Sequence, residues 1–120
     1  MAIKSEYPKA RPYITKDGSI IRELMHPAVH GNVKQSLAEA VVPVGSTTLK
    51  HKHIKSEELY HILEGQGMMW LAQEQFKVER GDTICIPPGT YHQIRNIGNV
   101  ELRFLCCCVP PYSHDDTEIS

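Results

Sequence analysis

The chain reads as an all-β domain, a sandwich or barrel. Short apolar or alternating runs recur along it, Gly and Pro interrupt them at close spacing, and no stretch carries convincing amphipathic-helix periodicity. Eight or more such runs with turn signals between them belong to a small antiparallel architecture rather than to a strand–helix repeat.

In chain order, residues 1–15 hold Pro8 and Pro12 and read as an arm. Lys16-Asp17-Gly18 is a turn before a strand over 20–24, and 26–32 is irregular around His26-Pro27. Strands follow over 36–42 and 47–53, the latter ending in His51-Lys52-His53. The polar Lys55-Ser56-Glu57 supplies a turn into a strand over 59–63, which Gly65 closes. Further strands are expected over 68–72, 76–78 and 83–86, the last ending at the rigid turn Pro87-Pro88-Gly89. The runs 91–94 and 100–109 complete the set. In the final run Glu101 and Arg103 face out, which turns Leu102, Phe104, Cys106 and Cys108 inward. The polar, acidic segment 110–120 is expected to wrap the surface or to be partly disordered. A chain of 120 residues makes one domain: an arm and first strand over 1–34, the barrel over 35–109, and a tail over 110–120.

Charge and composition exclude several functions. A formal net charge of −1 and a pI near 6.6 offer no electrostatic pull toward nucleic acid or an anionic membrane. No signal-peptide pattern and no membrane-length apolar run are visible, so a cytoplasmic location is expected. Four cysteines in such a chain argue against a disulfide framework. The run Cys106-Cys107-Cys108 cannot chelate one ion, because adjacent strand side chains oppose each other. These cysteines read as small hydrophobes of a packed strand, with Cys106 placed where it would touch a bound ligand.

The histidines carry the chemistry. His51 and His53 lie two apart, so on a strand both imidazoles share one face, with Cα atoms about 6.5 Å apart. That spacing lets both rings converge on one ion. His92 follows the Pro87-Pro88-Gly89 turn, which can return its strand beside the first. Lys50, Lys52 and Lys55 flank the pair but face away by the same parity. His26, His30, His61 and His114 read as surface or packing residues.

Two longer patterns enclose these histidines. From Gly45 to Gly65 the chain follows G-x5-H-x-H-x4-E-x6-G, and from Gly81 to Asn96 it follows G-x5-P-x-G-x2-H-x3-N. The pair resembles, position for position, the two signature motifs of the cupin superfamily, in the right order and with the short separation of single-domain members. The resemblance covers roughly residues 35–109 and implies a jelly-roll (double-stranded β-helix) barrel. It assigns His51, His53, Glu58 and His92 as metal ligands. Glu58 keeps the motif spacing on both sides, whereas Glu57 breaks it, leaving Glu57 as a solvated neighbour.

Three imidazoles and a carboxylate suit Mn(II) or Fe(II) first, and Ni(II), Co(II) or Zn(II) as well. Four protein ligands on an octahedral ion leave two positions open, the mark of a catalytic site. By parity Leu49, Ile62, Met69, Leu71, Phe76, Val78, Ile84, Ile86, Ile94 and Phe104 face the lumen. Tyr60, Met69, Phe104 and Cys106 are the expected substrate-pocket residues. With no cation clearly pointing inward, a phosphosugar substrate is poorly met and a small chelating oxygenated molecule fits better. The expected activity is metal-dependent and dioxygenase-like. A non-redox isomerase, lyase or decarboxylase is one alternative, and a non-catalytic ligand or metal sensor the other. Met68 and Trp70, on a strand apolar on both faces, are expected to be covered in a homodimer.

Overall fold

The computed structural model describes residues 1–120. Its strands are β1 (Tyr13–Ile14), β2 (Ile20–Met25), β3 (Ser36–Val42), β4 (His51–His53), β5 (Glu57–Glu64) and β6 (Gln66–Leu71), then β7 (Glu74–Glu79), β8 (Thr83–Ile86), β9 (His92–Asn96), β10 (Leu102–Val109) and β11 (Thr117–Ile119). One four-residue helix, α1 (Pro27–His30), caps its first turn with the His26 ring. No helix is long and apolar enough to cross a membrane. The strands form two sheets, in the order β1-β2-β3-β10-β5-β8 and β11-β4-β9-β6-β7, and every pairing is antiparallel. This is the jelly-roll barrel that the motif resemblance implies, where the strand pattern alone left sandwich or barrel open.

Alternation along the central strands builds both the core and the cavity. In β10 the residues Leu102, Phe104, Cys106 and Cys108 are buried, and in β5 Glu58, Tyr60 and Ile62 are. Register sets Phe104 opposite Ile62, Cys106 opposite Tyr60 and Cys108 opposite Glu58. Toward the Leu102 and Ile62 end the lumen is filled by Met69, Ile94 and Val78, all buried. Each such side chain contributes about 1.5–3 kcal/mol by leaving water. Toward the Cys108 and Glu58 end the same inward rows line an open cavity. Gly65, at φ +90°, lets β5 turn into β6 where an added Cβ would lie 2.8 Å from the Glu101 carbonyl oxygen.

Three expectations need correction. Leu49 is 52% exposed rather than in the lumen. The segment before β4 is not regular strand: Thr48 N–H donates to the Ile94 carbonyl and Leu49 N–H to that of Asp17, so strand parity does not run through it. Residues 110–120 are not a loose surface wrap, because β11 pairs with β4, setting Thr117 opposite His53 and Ile119 opposite His51. The Asp116 carboxylate also accepts the backbone N–H groups of Lys55 and Ser56. The arm contributes β1, which extends the first sheet through β2.

Candidate metal centre

Strand pairing builds the site. His51 and His53 flank one outward residue on β4, His92 opens β9 directly opposite His51, and Glu58 projects inward from β5 in the facing sheet. Gly89 N–H donates to the His53 carbonyl, tying the turn before β9 to the histidine strand. All four side chains are buried. His51, His53 and His92 bring ring nitrogens within 4.8 Å of one another.

The hydrogen bonds behind each ring decide what faces the lumen. His51 Nδ1 lies 2.8 Å from the Leu49 carbonyl oxygen and His92 Nδ1 3.0 Å from that of Thr90. Carbonyls only accept, so both Nδ1 atoms carry the proton and both Nε2 atoms present lone pairs. His53 Nδ1 lies 3.0 Å from the Thr117 hydroxyl, which itself donates to the Ser113 carbonyl and therefore accepts from the ring. His92 Nε2 has no hydrogen-bond partner at all, and the nearest Glu58 oxygen is 3.5 Å away. A buried orphan acceptor costs about 1–3 kcal/mol. Three inward nitrogens and a carboxylate, all backed by donors spent elsewhere, suit a divalent cation.

Charge is distributed to match. Burial, the largest single influence, would raise the Glu58 carboxyl, but His53, hydrogen-bonded at 3.0 Å, and neighbouring His92 together outweigh it and hold the group well below the ordinary carboxylate range. Burial would lower His53, yet the bond to Glu58 and its charge raise it. His51 goes the other way, lowered by burial and by neighbouring His92. The other Glu58 oxygen accepts from the Cys108 thiol at 3.2 Å, and burial pushes that thiol up, so it stays protonated and able to donate.

His51, His53 and Glu58 open onto a cavity between the sheets. No Lys or Arg lines it. Tyr60, Phe104 and Cys106 are on its wall, and Met69 sits in the packed core instead.

The Cupin domain family profile matches residues 38–108. The chain is a cupin. An uncharacterised protein of Methanocaldococcus jannaschii is 68% identical to this cupin over 117 residues, spanning 98% of this chain and 94% of that one. The oxalate-binding protein of Thermotoga maritima is 32% identical over 88 residues, spanning 73% of this chain and 69% of that one. Among solved structures, Streptomyces Pac13 with uridine superposes with a TM-score of 0.82, covering 100% of this chain and 91% of that one. At 16% identity that likeness speaks for the fold alone.

The cupin's cavity also holds residues outside both motifs. Asp17, in the turn before β2, brings Oδ2 to 3.4 Å from His51 Nε2. Thr117 orients His53, and the Tyr112 ring stands edge-on to it at 5.7 Å between centroids. Tyr112 in turn bonds the Thr15 hydroxyl at 2.9 Å, joining the two ends of the described chain over the cavity. The turn around Asp17 was readable from Lys16-Asp17-Gly18, but nothing local told where its carboxylate would point. Asn96, the last motif residue, serves the fold: its amide donates to the carbonyls of Val42 and Val100.

Proposed function

We propose that this cupin holds a divalent ion through His51, His53, Glu58 and His92 and acts on a small oxygen-bearing molecule seated in the cavity above them. The observation that carries the reading is the convergence of imidazole lone pairs whose Nδ1 protons are all committed to oxygen acceptors, with His92 Nε2 left without a partner. Bound there, Mn(II) or Fe(II) supplies Lewis acidity and access to O2 chemistry, while Ni(II), Co(II) or Zn(II) supplies the first alone.

The chain's own residues do the rest. The Leu49 and Thr90 carbonyls and the Thr117 hydroxyl fix the three rings; such outer contacts orient ligands and strengthen their basicity. The Cys108 thiol holds Glu58 in place. Phe104 and Cys106 give the ligand a dry wall, and burial keeps the Tyr60 phenol protonated and able to donate. The absence of a lining cation disfavours phosphorylated ligands.

Dioxygenase-type chemistry is the leading reading. The test is metal analysis of protein purified from its own host, then oxygen uptake by Fe(II)- or Mn(II)-loaded protein with a panel of diketones, hydroxy acids and catechols. Metal-dependent uptake with at least one compound supports the reading. Turnover without oxygen, tolerant of Zn(II), reassigns the site to a non-redox isomerase, lyase or decarboxylase. Tight binding with unaltered release makes it a sensor.

A further inference from the structure

We propose that Asp17 is a fifth protein ligand of the same centre, closing the His51 side of the ion site. The inference rests on the metal-binding reading above and extends it to a residue before the family-matched region, in neither motif. Asp17 is 8% exposed, at the tip of a turn held by the Gly18 N–H to Thr15 carbonyl and Thr15 N–H to Ser19 carbonyl bonds. Its Oδ1 is saturated by Ser19, accepting the backbone N–H at 2.9 Å and the hydroxyl at 2.6 Å. Its Oδ2 is left with one near neighbour, His51 Nε2 at 3.4 Å.

That neighbour cannot satisfy it. His51 Nδ1 carries the ring proton, donated to the Leu49 carbonyl, so Nε2 is a lone pair facing a carboxylate oxygen. Two buried acceptors face each other with no donor between them. Glu58, in the facing sheet, differs in having His53 Nε2 as a hydrogen-bond partner at 3.0 Å. A cation held by the imidazoles resolves the contact between Asp17 and His51. The backbone holds the turn against the site, since Leu49 N–H donates to the Asp17 carbonyl at 2.7 Å, two residues from His51. With Asp17 bound, an octahedral ion keeps one open position instead of two, and a bidentate ligand enters only by displacing that carboxylate.

The test is titration of metal-free protein with Co(II), reading affinity by competition with a chromophoric chelator and ligand number by the visible d–d bands. Asp17→Asn keeps an oxygen for Ser19 and so preserves the turn, which the melting temperature of the metal-free variant verifies. Glu23→Gln removes an equal charge from the cavity wall, and Ser19→Ala leaves the carboxylate but frees it. The expected result is Co(II) affinity at least about tenfold lower in Asp17→Asn with altered bands, Glu23→Gln close to wild type, and Ser19→Ala intermediate with wild-type bands. Unchanged affinity and bands in Asp17→Asn overturn the proposal while the four-ligand centre stands. So does a lower affinity that Glu23→Gln matches with both spectra unchanged, because distant charge then explains it. A wild-type protein that takes up no Co(II) overturns the metal-binding reading itself, and this proposal with it.

Discussion

Glu58 is kept ionised inside a cavity that, by burial alone, would protonate it. The His53 imidazole at 3.0 Å does this together with His92, and the proton affinity of His53 rises in return. A metal ion must therefore displace a proton from His53. Metal affinity should rise by about one log unit per pH unit until pH passes the His53 value, which lies above the ordinary 6.5, and then level off. Glu58→Gln removes the charge that raises His53, so the break should move to lower pH. Metal titrations across a pH series read both, and an affinity flat through neutral pH would contradict the assignment. Stability of the metal-free protein follows the same pair. The depressed Glu58 contributes fully above the ordinary 4.5 and is lost as pH falls through its folded value. The raised His53 contributes fully below 6.5 and is lost as pH rises through its folded value. Substitution separates the ligands from their neighbours: His51→Ala, His53→Ala or His92→Ala should each strip most of the metal, and Glu57→Gln, on the exposed face of β5, should not. Glu58→Gln should fall between them. Equal occupancy across the three histidine variants and the wild type, measured by elemental analysis, would remove the site from these residues.

The elements divide the work by their reach along the chain. β4, β5 and β9 carry the motif side chains, and alternation aims them inward as soon as the strands pair. β11 adds what no local pattern shows: its pairing with β4 delivers the Thr117 hydroxyl to His53. Thr117→Val keeps the shape and removes the acceptor for the ring proton. Metal affinity should drop about 10–100-fold with the fold intact, as loss of an orienting partner does. Competition titration measures the first and circular dichroism the second; an unchanged affinity would reduce the C-terminal strand to a purely structural edge. β10 works similarly through register, since Cys108 meets the Glu58 carboxylate because it lies directly across from it. Cys106 and Cys108 are buried packing residues, while Cys107, half-exposed on the outer face, points to the Gln35 side-chain oxygen.

At the scale of the molecule, the second sheet leaves Met68 and Trp70 half-buried, with no further element of the chain assigned to cover them. A homodimer built on this face is our expectation for the assembly. Sedimentation at tens of micromolar should then show a dimer, as an interface of ordinary size would. Trp70→Glu should dissociate it while leaving metal content intact, because Trp70 lies outside the cavity. A monomeric wild type counts against the dimer, and a variant that stays dimeric moves the interface elsewhere.

Strand periodicity, turn residues and the two spaced motifs were enough to establish the barrel, the inward rows of β5 and β10, and the meeting of His51, His53 and His92. Those features depend on alternation within single strands and on turns a few residues long, which sequence encodes directly. Leu49 escaped because backbone bonds to Asp17 break the parity of its segment, and Met69 because parity gives a face and not a depth. Asp17, Tyr112 and Thr117 reach the cavity only after the ends of the described chain have docked: the turn at residues 15–19 against the start of β4, and β11 along its edge. These are contacts between residues far apart in sequence, set by backbone pairing that almost any side chain could join. So the motifs foretold the imidazoles and Glu58, and the tertiary structure alone brought the Asp17 carboxylate and the Thr117 hydroxyl beside them.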